Sequence, residues 1–233
     1  MKRINGLLLL CLTIVVIFSM TSVMAVVPFG ANFTVVGTQT SPADTPASNN
    51  AIAGNVTELS ITGYSRTQSW QGYYGNVSGT IQLADALDHA MYNWSIASPE
   101  GEVYATNSTS VTWGNVACFN LTENHLALET AFGIITDDVD GVNETFSTGN
   151  GHDLFFTNNV QFSIGTCPST KVYDSTGKGV DNHFEEVLFT DGSGAAQVIY
   201  TSILDEESPL GFDNASHDFE MLVLEDGHSG DTV

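Results

Sequence analysis

Short runs of alternating apolar and polar residues recur along this chain, and glycine, proline or asparagine separates one run from the next. In Val77–Leu83, for example, every second residue is apolar or glycine and the residues between them are polar. A period of two places the apolar side chains on one face of a β-strand. The pattern predicts an all-β fold, an antiparallel β-sandwich of jelly-roll or Ig-like type with one short helix.

The stretch Ser69–Gly79 (SWQGYYGNVSG) combines a tryptophan and two adjacent tyrosines with three glycines. Aromatic side chains suit the half-buried surface of a sheet, and glycine suits sites where the backbone turns or approaches closely. We therefore expect this stretch to form the central strand pair of the sandwich. Trp70, Tyr73 and Tyr74 also have the shape to stack on sugar rings, although packing in a β core is the commoner role.

Several later segments predict core strands. Ala196–Leu204 is apolar in both phases, which is typical of a central strand covered on both faces. Leu121–Phe132 breaks the period of two and predicts the one short helix, with Thr122 as its N-cap and Gly133 as its stop signal. Further core strands are expected at Phe184–Phe189, Phe219–Leu224 and Asp153–Phe162, the last interrupted near Asn158-Asn159.

The sequence before the aromatic stretch predicts two more strands, Ala31–Val36 and Asn55–Tyr64, on either side of a linker. The linker Ser41–Asn50 consists of small and polar residues with two prolines, which predicts an extended, mobile segment. The detached strand Ala31–Val36 either returns to its own sheet, which we favour, or adds to the sheet of a neighbouring molecule.

Met1–Ala25 predicts a secretory signal peptide cleaved after Ala25, because a basic start precedes an apolar run that ends in small residues. The apolar run continues to about Val27, so an uncleaved membrane anchor is an alternative. The leader also resembles a class III archaeal prepilin signal, which implies cleavage after Gly6 and an apolar helix kept as a filament core. The predicted organisation is a leader at 1–25, an extended segment and linker at 26–54, a sandwich domain at 55–227 and a polar tail at 228–233.

Eight asparagines lie in the glycosylation sequon Asn-x-Ser/Thr. An acceptor asparagine must be reachable at the surface of an exported chain. The phase of one predicted strand agrees with this, because Asn93 alternates with Tyr92 and Trp94 and falls on the opposite face. The alternative is an Asn- and Thr-rich β protein in a cell without N-glycosylation. The candidate sites are Asn32, Asn55, Asn76, Asn93, Asn107, Asn120, Asn143 and Asn214.

The chain has three cysteines, of which Cys11 lies in the leader. The mature chain therefore retains Cys118 and Cys167, and a pair in an exported protein most often forms a disulfide. Two separate buried thiols are the alternative. Neither cysteine belongs to a CxxC motif or a Cys/His cluster, so the pattern does not favour redox catalysis or zinc binding.

The chain carries 27 acidic residues against 5 basic ones, a formal net charge of −22. Such a surface repels nucleic acid and anionic lipid and attracts cations. We therefore expect no nucleic-acid partner, and no membrane contact except through an uncleaved leader. Solubility in a salty or acidic medium explains the charge most simply, and specific binding of divalent ions is the alternative.

The segment Thr136–Glu144 (TDDVDGVNE) is the sharpest candidate site. Alternate carboxylates around a glycine resemble part of a calcium loop, since hard cations take several oxygen ligands. The full EF-hand pattern fails, because Thr136 and Ser147 stand at its first and last positions. A plain acidic turn is the favoured interpretation, and a non-EF calcium site is the alternative. The candidate calcium ligands are Asp137, Asp138, Asp140, Asn143 and Glu144.

The sequence motifs do not predict an enzyme. The chain contains no nucleophile elbow, phosphate loop or HExxH sequence. Its six histidines are scattered, and the pair His183 and Glu186 is expected on opposite faces of one strand rather than at a shared site. A carboxylate pair for glycoside hydrolysis is the enzymatic alternative.

The runs SWQGYYGNVSGTI, MYNWSIASPEGEVYA and DFEMLVLEDG resemble a family of secreted, sequon-rich archaeal surface proteins. The resemblance covers most of the mature chain and implies export and a shared fold, with no catalytic residues to transfer. We predict an extracellular N-glycosylated structural protein, a subunit of a surface layer or pilus-like fibre that associates with its own copies or with other surface proteins. A secreted module that binds carbohydrate or calcium is the alternative.

Overall fold

The computed structural model describes residue 28 and residues 30–95, 100–205 and 208–225. These residues form antiparallel β-sheets with two α-helices, which confirms the predicted all-β, sandwich-like fold. The predicted leader and polar tail lie outside the described residues. The strands are β1 (Trp70–Gly75), β2 (Thr80–Ala84), β3 (Ala90–Ser95), β4 (Glu102–Thr106), β5 (Ala117–Cys118), β6 (Phe155–Thr157), β7 (Val160–Phe162), β8 (Ser169–Lys171), β9 (Glu185–Thr190), β10 (Ile199–Ile203) and β11 (Phe219–Leu224), and the helices are α1 (Leu121–Ala131) and α2 (Val142–Thr145).

The fold is built around a central sheet in which the strands follow the order β4–β10–β9–β5, with β8 also paired to β9. Strand β10 lies inside this sheet, where the first four of its residues are fully buried. Ile199 and Tyr200 point to opposite faces and belong to different hydrophobic clusters. The predicted central strand at Ala196–Leu204 is therefore confirmed, because apolar residues in both phases match the burial of both faces.

One face of the central sheet is covered by the β1–β11 ladder and by both helices. Leu188 and Tyr200 of the sheet belong to the same buried cluster as Met221 and Val223 of β11 and Leu128 of α1. Because these side chains come from sheet, ladder and helix, this cluster holds three layers of the domain together. Its buried members are Phe119, Leu128, Val142, Phe146, Leu188, Val198, Tyr200, Met221, Val223 and Leu224.

The opposite face of the central sheet is covered by the hairpin β6–β7. Asn158 and Asn159 connect its strands with positive φ angles of 45° and 67°, which two-residue hairpin turns require. The predicted interruption of the Asp153–Phe162 strand is therefore a hairpin turn. Phe155 and Phe162 pack against Phe189 of β9, with ring centroids 5.7 and 4.3 Å away.

Strand β1 lies outside the central sheet and pairs with β11 along its whole length, from Trp70 opposite Leu224 to Gly75 opposite Phe219. The expectation that Ser69–Gly79 forms the central strand pair is therefore wrong. The physical reason is side-chain content: β9 and β10 present apolar or aromatic groups on both faces, whereas two of the six residues of β1 are glycines.

Strands β2 and β3 form a separate two-stranded hairpin around a turn at Asp85–Asp88. Ile81 stands opposite Trp94 and Leu83 stands opposite Tyr92, so these four side chains share one face, which we call the apolar hairpin face. The alternation predicted for Val77–Leu83 is confirmed in β2, since Ile81 and Leu83 share one face. Within the described residues, however, all four side chains of this face are exposed and none packs against a core cluster.

Residues 30–68, which we call the N-terminal arm, contain no helix or strand and are exposed throughout. The predicted strands Ala31–Val36 and Asn55–Tyr64 are therefore wrong. A strand is stable only beside a paired neighbour or a packed face, and the arm has neither among the described residues. The β-structure begins at Trp70 rather than at Asn55.

Helix α1 confirms the predicted helix at Leu121–Phe132, with one correction. Its N-cap is Asn120, whose side chain accepts a hydrogen bond from the N–H of Glu123, and Thr122 lies inside the first turn. The predicted stop at Gly133 is confirmed, since this glycine has a φ of +71° just after the C-cap. Neither described helix has the length and apolar content needed to cross a membrane.

Candidate functional site

The acidic loop between α1 and α2 connects distant parts of the chain. The backbone carbonyl of Asp140 accepts a hydrogen bond of 2.6 Å from the indole N–H of Trp70, and its carboxylate accepts one from the hydroxyl of Thr67. Among the described residues, no three acidic, histidine or cysteine side chains are grouped closely enough to hold a metal ion. Calcium binding by Asp137, Asp138, Asp140, Asn143 and Glu144 therefore stays a prediction that this geometry does not support.

Glu129, which the sequence did not single out, anchors the other end of this loop. Its buried carboxylate accepts a hydrogen bond of 3.0 Å from the N–H of Val142. Gly141 lies between Glu129 and Glu144, since a Cβ there would lie 2.9 Å from Glu129 Oε1 and 2.5 Å from Glu144 Oε2. A Cβ at this position would therefore displace the carboxylate ends of both glutamates.

All eight sequon asparagines are exposed, in the arm, in and beside the hairpin, in helix α2, and in the loops of the sandwich. Asn93 pairs with Gln82 on the side of the hairpin opposite the apolar hairpin face. Two acceptors also have structural roles, because Asn120 caps α1 and the side-chain amide of Asn107 donates to the carbonyl of Ala196. Exposure is compatible with glycan attachment, and glycosylation itself stays a prediction.

The predicted disulfide between Cys118 and Cys167 is formed, with the two Cα atoms 5.0 Å apart. Beside it, the fully buried His152 uses both ring nitrogens: Nε2 accepts from the N–H of Cys167 at 3.1 Å and Nδ1 donates to the carbonyl of Asp153 at 2.7 Å. This arrangement fits the neutral Nδ1–H tautomer, so His152 is a structural histidine rather than a metal ligand.

Buried carboxylates form the polar framework of the domain. Lysine and arginine together account for three of the described residues. Among them, Lys171 forms an ion pair with the carboxylate of Asp181. Backbone N–H groups take the place of cations for the buried acids and thereby join segments far apart in sequence. The bonds run from the N–H of Val77 to Asp218, of Thr112 to Asp191, of Asp153 to Glu185 and of Leu222 to Glu186.

Burial shifts several of these acids toward the protonated state. It raises the pKa of Glu102 to about 7, against the opposing hydrogen bond from the Tyr104 hydroxyl. It raises the pKa of Glu186 well above its usual value, although the N–H of Leu222 favours the charged form. By contrast, hydrogen bonds from Ser193 and from the N–H of Thr112 lower the pKa of Asp191.

A second acidic cluster lies where the loop after β8 meets the loop before β11. Asp174 is bridged to Gly211 across these loops, and its carboxylate lies 3.2 Å from Nδ1 of His183. Glu186 turns away into the core and accepts the N–H of Leu222. His183 precedes β9, which begins at Glu185, so the expectation that His183 and Glu186 lie on opposite faces of one strand is wrong.

Glu220 and His217 lie side by side in this cluster, beneath exposed aromatic rings. Burial raises the pKa of Glu220 to about 6, while the N–H of Phe212 and the neighbouring His217 oppose the shift. His217 bonds Asp213 at 2.9 Å, and the ring of Tyr74 packs against His217 and Phe212 at centroid distances of 4.8 and 4.9 Å. The tilted and edge-on rings fix the loop and present no flat stacking platform.

A groove of about 460 Å³ opens between α2, β8 and β11. Glu144 and Thr145 form one wall, and Lys171 and Tyr173 belong to the other. The ring of Tyr173 is 60% exposed. The combination of one charge of each sign, hydroxyl groups and an exposed aromatic ring suits a polar ligand such as a sugar. Its lining residues are Glu144, Thr145, Thr170, Lys171, Val172, Tyr173 and Leu222.

The apolar hairpin face is a candidate interaction surface. Its four side chains are between 48% and 60% exposed, and Tyr92 and Trp94 contact each other with ring centroids 4.8 Å apart. Neither β2 nor β3 contains a charged residue, although the chain as a whole carries a net charge of −22. The patch measures on the order of 500 Å², which is as large as the largest apolar patch on a typical monomer and is often functional.

The chain matches no protein-family model, no curated protein and no solved structure. The resemblance to secreted archaeal surface proteins therefore stays a prediction.

Proposed function

We propose that this chain is an exported, N-glycosylated structural protein that assembles with its own copies into a layer or fibre at the cell surface. The observation that carries the proposal is the apolar hairpin face, which no other described residue covers although the domain has a buried core on both sides of its central sheet. A large apolar patch that folding does not bury is typical of a surface used in association.

The other features of the chain support an extracellular location. A disulfide is stable in an oxidising compartment, and all eight sequon asparagines are accessible to a glycosylation enzyme. The acidic surface keeps free subunits soluble through mutual repulsion. Assembly then depends on surfaces that carry no charge, such as β2 and β3.

The test is electron microscopy and sedimentation of the intact chain, exported by a host that attaches N-glycans, together with intact-mass analysis. We expect masses that exceed the polypeptide mass by several glycans, and ordered filaments or arrays above a critical concentration. A protein that stays monomeric at every concentration and carries no glycan would contradict the proposal.

The groove between α2, β8 and β11 favours a second candidate function, the binding of a carbohydrate. Lys171 and Glu144 offer hydrogen bonds to sugar hydroxyls, and Tyr173 offers a ring for stacking. Titration with oligosaccharides, followed by calorimetry, is expected to show binding that Tyr173→Ala abolishes and Tyr64→Ala, in the exposed arm, preserves. A repeat with calcium and with a chelator tests whether the acidic loop that contains Glu144 contributes an ion.

A further inference from the structure

We infer that the folded chain offers a glycosylating enzyme the four sequons that precede β4 and withholds the four that follow it. The inference rests on the proposed N-glycosylation and states which asparagines of the folded protein take a glycan. The offered acceptors are Asn32, Asn55, Asn76 and Asn93, and the withheld ones are Asn107, Asn120, Asn143 and Asn214.

Glycosylation at a sequon requires two side chains at once. The side-chain nitrogen of asparagine loses one proton and bonds to the anomeric carbon of a sugar, while the phosphate of a lipid-linked sugar donor leaves. Because the sequon also requires a hydroxyl two residues later, the enzyme must contact positions i and i+2 together. Side chains at these positions share one face of an extended segment, whereas in an α-helix they lie about 200° apart around the axis. All eight asparagines are exposed, so conformation and side-chain contacts distinguish them.

The sequon in β3 has the required geometry. Asn93 and Ser95 are exposed on the face of the hairpin opposite Trp94, and neither side chain has a hydrogen bond to any described residue. Asn76 and Ser78, between β1 and β2, are likewise exposed, while the residue between them is half-buried. Both sequons therefore present the amide and the hydroxyl together.

The two sequons of the N-terminal arm are free to adopt the same geometry. Their middle residues lie in water, since Phe33 is 89% exposed and Val56 is fully exposed. The arm contains no helix or strand, and within the described part of the chain no side-chain hydrogen bond holds Asn32 or Asn55. An extended segment can therefore form at either sequon without the loss of a side-chain hydrogen bond.

The sequon of Asn143 lies in helix α2, and its hydroxyl is already used. The Thr145 hydroxyl donates to the carbonyl of Gly141 at 2.8 Å, and the helix turns Asn143 and Thr145 to different sides. Val142, in the same helical turn, is fully buried and donates its N–H to the carboxylate of Glu129. Extension of this sequon would therefore break the helix and disturb a core residue.

The side-chain amides of Asn107 and Asn120 are part of the fold. The nitrogen of Asn107 donates to the carbonyl of Ala196 at 2.8 Å, and its oxygen accepts from the N–H of Val198 at 3.1 Å. The oxygen of Asn120 accepts from the N–H of Glu123 as the N-cap of α1. Each amide would have to leave these backbone partners before it could enter the active site of an enzyme, and the partners would lose their bonds.

Asn214 is held in the loop before β11. Its φ is +64°, and its N–H donates to the carbonyl of Gly211 at 2.8 Å. The N–H of Gly211 donates in turn to the carbonyl of Ala215, and Leu210 is bridged to Ser216. Because an extended segment requires a negative φ, this loop would have to open before its sequon could bind.

This division places the glycans on one part of the molecule. They lie on the N-terminal arm, on the link between β1 and β2, and on the side of the hairpin opposite the apolar hairpin face. The central sheet and the loops at its ends remain without glycan, so the apolar hairpin face and the sandwich surface both stay open to contacts.

The first test uses the full chain, folded and free of glycan, with an asparagine-glycosylating enzyme and its lipid-linked oligosaccharide. Eight short peptides, each with one sequon and its flanking residues, are the unfolded reference. Glycopeptide mass spectrometry gives the initial rate at each site in the chain and in its peptide. We expect similar rates in chain and peptide at the four offered sites. At the four withheld sites we expect a rate at least about tenfold lower in the chain, because hydrogen bonds must first break.

The second test moves the sequon between a strand and a helix. Thr80→Asn with Gln82→Thr creates a sequon in β2, on the same side of the hairpin as Asn93, where both positions are exposed. Glu123→Asn with His125→Thr creates one in α1 at an acceptor position that is also exposed. We expect the folded protein to be modified at the new site in β2 and not at the new site in α1. Circular dichroism checks that both variants fold.

The outcomes separate the inference from the proposed function. Equal ratios of chain to peptide rates at all eight sites, or equal modification of the two new sites, would overturn the inference and leave the proposed N-glycosylation standing. If neither the chain nor any of the eight peptides is modified, the proposed N-glycosylation and the inference both fail.

Discussion

The central sheet and the hairpin β2–β3 contain the same local unit in opposite environments. Leu188 of β9 stands opposite Tyr200, and Leu83 of β2 stands opposite Tyr92, each in an antiparallel pair. Leu188 is fully buried, whereas Leu83 is 52% exposed. The cross-strand pair is alike in the two regions. The surroundings differ, because β9 and β10 have further strand partners and a covering layer, whereas β2 and β3 pair only with each other among the described residues.

This contrast shows what an alternating pattern can and cannot predict. Alternation reports which residues share a face of a strand, because side chains of successive residues point to opposite sides. It does not report whether that face meets the core of the same chain, a second molecule or water. In the central sheet the cover comes from β11, α1 and the β6–β7 hairpin, and over the apolar hairpin face the described chain supplies none.

The largest expected difference between the two regions comes from shortening the matched leucines. Leu188→Ala removes a fully buried side chain from the packed core and should lower the free energy of unfolding by about 4 kcal/mol. Leu83→Ala should change it by less than about 0.5 kcal/mol, because the side chain is already half in water. Urea denaturation at concentrations that keep the protein monomeric measures both. Equal losses would mean that the hairpin is packed in solution.

Removal of the disulfide tests the face of the central sheet covered by β6–β7. Cys118→Ser with Cys167→Ser opens a link between residues 49 apart, and we expect a loss of about 3 kcal/mol in unfolding free energy. Reduction of the wild type without substitution should give a loss of similar size in the same denaturation assay. No change in either experiment would show that the covalent link is not formed in the isolated protein.

The pH dependence of stability should originate in the core and not in the hairpin. Glu102 in β4 and Glu220 in β11 hold their protons in the folded state up to pKa values of about 7 and about 6, whereas unfolded glutamates release them near pH 4.5. The unfolding free energy should therefore fall as the pH rises from 5 to 8, by on the order of 2–3 kcal/mol, since one pKa unit corresponds to about 1.4 kcal/mol.

Denaturation curves of Glu102→Gln at both pH values provide the control for this effect. Glutamine cannot titrate, so the part of the fall in unfolding free energy that Glu102 causes between pH 5 and pH 8 should be mostly absent from the variant. At pH 8 the variant should therefore be more stable than the wild type. A wild type that becomes more stable between pH 5 and pH 8 would contradict the burial of these two carboxyls.

The smallest predicted effect concerns close packing around Glu220. A Cβ at Gly211 would lie 2.1 Å from Glu220 Oε1 and 2.6 Å from Cδ2 of His217, so Gly211→Ala should cost about 1–2 kcal/mol. Gly194→Ala is the control, since nothing lies within 4 Å of a Cβ there. Thermal denaturation distinguishes the two, and similar melting temperatures would show that the loop before β11 adapts without strain.

Several features of the fold were predictable because they depend on the pattern within a short segment or on the number of cysteines. The run Ala196–Leu204 is apolar in both phases, and only burial on both faces stabilises such a strand. The helix at Leu121–Phe132 breaks the strand period over a length that a helix needs. Cys118 and Cys167 are the two cysteines outside the predicted leader, so their number favoured the pairing over two separate thiols.

The candidate sites were less predictable because they depend on contacts between distant segments. The indole of Trp70 meets the carbonyl of Asp140 across 70 positions, and nothing in either segment indicates the other. Buried acids such as Glu186 were missed because a carboxylate in a sequence indicates a solvated surface by default. The one available signal was the placement of Glu185 and Glu186 at the start of an apolar strand, which is costly unless backbone donors are supplied.

The sequence by itself determined the strand class, the sharing of faces, the pairing of the cysteines and the position of the helix, because these follow from periodicity and composition within short segments. Only the tertiary structure decided which apolar faces are covered, since cover requires a second element at the right distance and no segment encodes its partner. For that reason β10 lies at the centre of the fold, whereas β1 lies outside the central sheet and pairs with β11. The arm and the apolar hairpin face are both exposed.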